Sequence, residues 1–86
     1  MTVLFYGSVR EHTNNEKSIE IETANCLHAL IDILGKHFGE QFKDFLLEDK
    51  TCFFLVNGSG IISTGGLKTP LKSNDKVEVL PYADAG

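Results

Sequence analysis

The first candidates for chemistry are the last six residues of the sequence, Pro81-Tyr82-Ala83-Asp84-Ala85-Gly86. Most of them have short side chains, and the segment ends in a carboxylate on glycine. Glycine has no β-carbon to crowd an enzyme that would activate this carboxylate, and the short residues before it suit a narrow channel. The simpler interpretation is a frayed terminus, which most domains have. These six residues alone leave both interpretations open.

Cysteines and histidines are the other candidates. Cys26 lies near the start of a predicted helix, where a thiolate is favoured, but such a cysteine more often simply packs. Cys52 lies in an apolar run and is expected in the core. His12, His28 and His37 lack the spacing of metal ligands. We therefore expect neither a metal site nor a disulfide framework.

Composition excludes several classes of protein. The 86 residues suffice for one domain, and 42% hydrophobic with 23% charged residues is typical of a soluble globular protein. The net charge of −4 disfavours nucleic acid but permits a partner with a basic face. No apolar run approaches the roughly 20 residues that cross a membrane. A reducing cytoplasm is the simplest location.

The first third of the chain predicts a β-hairpin. Thr2 to Val9 is a strand with apolar residues on both faces, and such strands usually lie in the middle of a sheet. A turn at Thr13-Asn14-Asn15 follows. Lys17 to Glu22 alternates polar and apolar side chains, which indicates an edge strand with one solvated face.

Two helices are expected next. The longer one has a single apolar stripe at helical period, formed by Leu27, Leu30, Ile31, Leu34 and Phe38. Thr23 or Asn25 is its expected N-cap, and Gly39 its expected end. The shorter helix should turn three residues to the core, namely Phe42, Phe45 and Leu46.

The second half of the chain predicts further strands. Cys52 to Val56 is a continuous apolar run that favours a buried strand, and Asn57-Gly58 is a strong hairpin turn signal. Ile61-Ile62 is at most a brief strand. Lys76 to Leu80 alternates as the last strand, which should end at Pro81 because proline has no N–H to donate.

This order predicts an α+β fold of the β-grasp, or ubiquitin-like, type. A mixed sheet of four to five strands would pack on one main helix plus a short helix. The first and last strands would be parallel neighbours joined by a long crossover. We expect residues 1–86 to form a single domain, with 81–86 as a flexible C-terminal tail.

Three segments of the chain together resemble the MoaD/ThiS family of sulfur carriers, in particular the small subunit of molybdopterin synthase. They are Val3-Leu4-Phe5-Tyr6-Gly7-Ser8-Val9-Arg10-Glu11, Phe54-Leu55-Val56-Asn57-Gly58 and Leu71-Lys72-Ser73-Asn74-Asp75-Lys76-Val77-Glu78-Val79-Leu80-Pro81. In position and order they span essentially the whole chain. The resemblance implies a carrier protein rather than an enzyme, with no bound cofactor of its own.

The resemblance also implies the chemistry and the partners. An E1-like adenylyltransferase would join the Gly86 carboxylate to AMP, using ATP and magnesium. Sulfur would then replace AMP, giving a thiocarboxylate that serves the large subunit of molybdopterin synthase or a similar acceptor. Ala83, Asp84 and Ala85 would be the flexible arm. Docking residues on the sheet face away from the helix would be Tyr6, Ile61, Ile62 and Leu80.

One residue departs from the family pattern. Ala85 occupies the penultimate position, where Gly-Gly is expected, and alanine avoids backbone angles that glycine adopts. Two alternatives therefore remain beside the sulfur carrier. One is a β-grasp interaction module without tail chemistry, and the other is a ubiquitin-like modifier joined to proteins through Gly86.

Overall fold

The computed structural model describes residues 1–48 and 51–82, and within them five strands form one mixed sheet. The strands are β1 Thr2–Phe5, β2 Ser18–Glu20, β3 Cys52–Val56, β4 Ser59–Gly60 and β5 Lys76–Pro81. Their order in the sheet is β2-β1-β5-β3-β4, with β1 parallel to β5 and the other pairs antiparallel. The predicted β-grasp topology is confirmed.

Two α-helices and three short 3₁₀ helices complete the described structure. Their bounds are α1 Leu27–Phe38, α2 Glu40–Leu47, and 3₁₀ helices at Gly7–His12, Ile61–Ser63 and Gly66–Lys68. The apolar stripe of α1 packs in the same core as β1 and β5, because alternate residues of both strands point to the helix side. These residues are fully buried: Val3, Phe5, Val77 and Val79.

The first strand is shorter than its sequence pattern predicted. It ends at Phe5, because Gly7 adopts a φ of 55° and the chain turns there into a 3₁₀ helix. This turn places Val9 in the core, where it is fully buried. The turn at Thr13-Asn14-Asn15 is confirmed, and Asn14 and Asn15 both have positive φ.

Helix α1 has the predicted apolar stripe and end, but its N-cap differs. Cys26 is the N-cap, instead of Thr23 or Asn25, and it makes no side-chain cap hydrogen bond. The first helical N–H, on Leu27, instead donates to the carbonyl of Thr69 at 3.0 Å. A segment distant in sequence thus satisfies a group that the local sequence leaves unpaired. Gly39, with a φ of 116°, ends the helix as predicted.

The second half of the chain contains two differences in strand boundaries. Asn57 and Gly58 have positive φ and join Val56 to Ser59 in the predicted two-residue hairpin turn. The strand after the turn is Ser59–Gly60, and Ile61-Ile62 lies in a 3₁₀ helix rather than in a strand. Strand β5 includes Pro81, which is paired with Cys52 at the end of the ladder.

Gly35 lies where α2 packs directly against α1, which explains a glycine in the middle of α1. A β-carbon at this position would lie 2.8 Å from Cβ of Lys43 on α2, and real Cβ atoms almost never come so close. The Lys43 ammonium reaches back to Oδ1 of Asp32 on α1 at 2.9 Å. Glycine therefore permits α2 to pack against α1 at this point.

Gly35→Ala is expected to destabilise the protein by about 1–3 kcal/mol, the usual range for overpacking. Alanine has the higher helix propensity, by about 1 kcal/mol, so propensity alone predicts the opposite sign. The free energy of unfolding is measured by urea denaturation. Lys36→Ala, at an exposed position on the same helix, is the control. A Gly35→Ala variant more stable than the wild type would show that the helices do not approach this closely.

Candidate functional site

One face of the sheet points away from the core and from both α-helices, and we call it the open face. From its middle to the end where β5 terminates, it carries alternate residues of three neighbouring strands and of the segments that follow them: Leu4, Tyr6, Phe53, Leu55, Glu78, Leu80 and Tyr82. Tyr82 is 52% exposed, and the others are half-buried. Half-buried apolar side chains grouped on one face are typical of a surface that binds another protein.

The strand register makes these side chains contiguous. Glu78 on β5 lies between Leu4 on β1 and Leu55 on β3, and Leu80 lies opposite Phe53. The rings of Phe53 and Tyr82 meet edge to face with their centroids 6.1 Å apart. The apolar part of the open face therefore lies at the end of the sheet where β5 terminates.

A carboxylate lies among these apolar residues. The hydroxyl of Tyr6 donates to Oε2 of Glu78 at 2.7 Å, and this hydrogen bond, with further contributions from burial and the negative charge, raises the pKa of Tyr6. The Glu78 side chain is 17% exposed. Its other oxygen, Oε1, lies 4.0 Å from Nζ of Lys76, whose side chain is 54% exposed. That separation is too long for a hydrogen bond.

Strand β5 runs along the open face, and the described chain ends one residue after it, at Tyr82. Pro81 is paired with Cys52, and the N–H of Tyr82 donates to the carbonyl of Thr51 at 3.1 Å. The chain is thus held by β3 as far as Tyr82. The predicted reactive residue Gly86 and its arm, Ala83 to Ala85, lie outside the described residues.

The structure places the four predicted docking residues in three different surroundings. Tyr6 and Leu80 lie on the open face. Ile61 instead packs against the core, and Ile62 projects from the 3₁₀ helix after β4 with 97% of its surface exposed. The expectation that Ile61 lies on the face away from the helix is therefore wrong, because the chain leaves the sheet after Gly60.

Four residues of the open face were among neither the predicted docking residues nor the predicted tail: Leu4, Phe53, Leu55 and Glu78. The run from Cys52 to Val56 suggested a wholly buried strand, yet only Phe54 in it is fully buried. The sequence did contain a signal for this second face, because its strands have more apolar surface than its helices can cover. Strands apolar on both faces, in a chain with helices enough for one side of the sheet, indicate that a second apolar face remains uncovered.

The comparison with protein families identifies the chain. The model of the ThiS family matches residues 3–83. The chain belongs to the ThiS family. This family consists of ubiquitin-like sulfur carriers related to MoaD. Asp84, Ala85 and Gly86 lie beyond the matched range.

Solved structures agree with the ThiS assignment. CysO of Mycobacterium tuberculosis is 25% identical to this chain with a TM-score of 0.81, over 93% of this chain and 96% of that one. A chain of the BexX/CysO complex of Amycolatopsis orientalis is 25% identical with a TM-score of 0.78, over 93% and 92%. A chain from the complex of subunits 1 and 2 of Helicobacter pylori molybdopterin-converting factor is 31% identical with a TM-score of 0.64, over 93% and 89%. A search of curated proteins by sequence gave no match.

The cysteines and His12 were the other candidates for chemistry in this ThiS-family chain, and each of them is partly buried in the fold. Burial raises the pKa of the Cys52 thiol, which keeps it protonated and a poor nucleophile. Cys26 is half-buried at the start of α1. His12 stacks on Phe42 and Phe45, with ring centroids 5.6 and 4.3 Å away. In the described part of the chain, no group of three histidine, cysteine or acidic residues could hold a metal ion.

A cleft of about 520 Å³ lies outside the open face, between the β3–β4 turn, the loop after β4 and the turn before β5. Its lining residues are Val56, Asn57, Ser59, Thr64, Thr69, Pro70, Lys72 and Asp75. Their polar groups largely pair with each other. Asp75 accepts hydrogen bonds from Asn57 Nδ2 at 3.0 Å and from the Lys72 N–H at 2.8 Å, which lowers its pKa. These bonds fix the turn that precedes β5.

No helix among the described residues is long and apolar enough to span a membrane.

Proposed function

We propose that this protein is a sulfur carrier whose Gly86 carboxylate is adenylated by an E1-like enzyme and converted to a thiocarboxylate. The supporting observation is the match to the ThiS family over residues 3–83. In this proposal the chain contributes a reachable carbonyl and a docking surface, while the partner contributes the catalytic groups. It is therefore a carrier, or at most the non-catalytic small subunit of a synthase.

The chemistry explains why a carrier needs an activating partner. A carboxylate is a poor electrophile, so its oxygen first attacks the α-phosphorus of ATP in the partner and releases pyrophosphate. The resulting mixed anhydride has AMP as a good leaving group. A persulfide sulfur displaces AMP, and two electrons from a thiol then cleave the acyl disulfide to give the thiocarboxylate. ATP and magnesium belong to the partner, and the carrier binds no cofactor.

The proposed destination of the sulfur is molybdopterin, the precursor of the molybdenum and tungsten cofactors. Support comes from the 31% identity to a chain of the complex of molybdopterin-converting factor subunits 1 and 2. The proposed acceptor is accordingly a large subunit of molybdopterin synthase in the cytoplasm. CysO, at 25% identity, is another carrier. The molybdopterin acceptor is therefore a more specific proposal than the sulfur-carrier function itself.

The open face supplies the surface on which such partners would dock. Tyr6 and Leu80 lie within it, close to where β5 leads into the tail. Ile62, with 97% of its surface exposed, is a further apolar contact for a partner that extends past β4. Docking at this end of the sheet would bring residues 83–86 into the activation site of the same partner.

Intact mass spectrometry tests the sulfur-carrier function. After co-expression with the E1-like enzyme of the same genome, the protein is expected to gain about 16 Da, since sulfur replaces one oxygen. Co-expression with an enzyme variant unable to bind ATP is the control, and it should leave the mass unchanged. An unchanged mass with the active enzyme would contradict the proposal and favour a β-grasp interaction module. Covalent attachment of the chain to other proteins would instead indicate a modifier.

A further inference from the structure

We infer that Glu78 selects the docking partner, because its carboxylate pairs with one cationic side chain, an arginine, of the activating enzyme that covers the open face. This inference rests on the proposed function for the identity of the partner. It goes beyond an apolar docking surface by assigning a charge requirement to one residue at the centre of that surface.

Glu78 has a fixed position among apolar side chains. Its neighbours across the sheet are Leu4 and Leu55, and Leu80 follows it on the same face of β5. The Tyr6 hydroxyl holds Oε2 at 2.7 Å, and the side chain is only 17% exposed. The carboxylate is thus fixed within an apolar surface, unlike the exposed acids at the edge of the sheet.

Covering this carboxylate with a partner costs free energy of desolvation. A partner that contacts Leu55 and Leu80 must also remove water from Glu78, and a desolvated charge is unfavourable unless it is paired and hydrogen-bonded. Tyr6 supplies one hydrogen bond, to Oε2. Lys76 lies 4.0 Å from Oε1, with a side chain that is 54% exposed. Oε1 therefore needs a donor from the partner once water is excluded.

Arginine is the donor whose chemistry suits this carboxylate best. An arginine is less strongly hydrated than a lysine, and its planar guanidinium presents several N–H groups to a carboxylate. It can also lie on the neighbouring Tyr6 ring. A basic contact surface is consistent with the chain's net charge of −4, which would steer such a partner.

The same geometry disfavours a second copy of this chain as the occupant. A twofold contact centred on the open face would bring two Glu78 carboxylates towards each other, each with its own Lys76 ammonium 4.0 Å from Oε1 as the neighbouring cation and no arginine among the open-face residues of the other copy. Like charges facing each other at an interface cost affinity and act against the wrong partner. Charge complementarity therefore favours a basic partner over self-association.

Glu78→Gln is the test, because glutamine has the same shape and still accepts the Tyr6 hydrogen bond. Binding of the purified E1-like enzyme of the same genome is measured by surface plasmon resonance without ATP. We expect the Kd of the variant to rise about 10- to 100-fold, mainly through faster dissociation. Glu78→Asp, which keeps the charge, should recover part of the affinity. Glu22→Gln is the matched control, since it removes the same charge from an exposed residue outside the open face.

The outcomes separate this inference from the function on which it rests. Equal affinity of the wild type and Glu78→Gln, with unfolding midpoints that also agree, overturns the charge requirement and leaves sulfur loading intact. An equal loss in Glu78→Gln and Glu22→Gln also overturns it, because only general electrostatic attraction would then act. Absence of sulfur loading and of binding in the wild type overturns the proposed function and the inference together.

Discussion

Deletion of Gly86 is expected to abolish thiocarboxylate formation. One residue of extended chain spans about 3.5 Å, so the remaining carboxylate on Ala85 falls short of the activation site by that length. A misplacement of about 1 Å already costs on the order of 100-fold in rate. Because β3 holds the chain as far as Tyr82, strand β5 cannot slide along β3 to extend the tail and compensate for the lost residue. Intact mass spectrometry after reaction with enzyme, ATP and a persulfide donor should show only the unmodified mass.

Ala85→Gly is the companion variant for this deletion. It changes the same arm but keeps the terminal carboxylate at full reach, and it removes the methyl group that departs from the Gly-Gly pattern. We expect it to acquire sulfur faster than the wild type, since glycine adopts backbone angles that alanine avoids. Sulfur loading of the shortened chain at the wild-type rate would exclude Gly86 as the reactive residue.

Phe5→Ala is expected to cost about 3–5 kcal/mol of the free energy of unfolding, the usual range for a buried phenylalanine. Phe5 is fully buried, and its ring meets Phe38 and Phe42 at centroid distances of 5.6 and 5.8 Å. A domain of 86 residues is stabilised by about 4–13 kcal/mol in total. Thermal unfolding followed by circular dichroism should show a Tm lower by about 15–30 °C.

Phe53→Ala is the matched control, because it makes the same truncation on the opposite face of the sheet. Phe53 is half-buried and contacts Tyr82 on the open face. Its loss should cost only about 1 kcal/mol, since less apolar surface returns to water. If both variants lost stability equally, the open face would be part of the structural core and not a surface reserved for a partner.

Much of the fold was predictable because it depends on short-range patterns. The stripe from Leu27 to Phe38 defined α1, and Asn57-Gly58 defined the β3–β4 hairpin. The boundary of β1 was not predictable from the apolar run to Val9. Gly7 permits a turn without requiring one, and packing of Val9 in the core decides that the turn forms. The N-cap of α1 depends in the same way on Thr69, which is distant in sequence.

The candidate site was predictable only in part. Tyr6 and Leu80 were placed correctly on the open face, whereas Ile61 was not. The reason is that a two-residue period shows that a strand has two faces and does not show which face is covered. For this reason the sequence pattern predicted that Phe53 and Leu55 are core residues. They lie on the open face because α1 and α2 pack on the other side.

The order of strands and helices, the turns between them and the membership of the ThiS family can all be inferred from the amino-acid sequence. These follow from local periodicity, from residues such as Gly39 that tolerate unusual φ, and from motifs in order along the chain. The folded arrangement was needed to show that Tyr6 meets Glu78, 72 residues away in sequence, within an apolar face that the described chain leaves uncovered. That pairing depends on the parallel register of β1 and β5, which forms only when the crossover between them has folded.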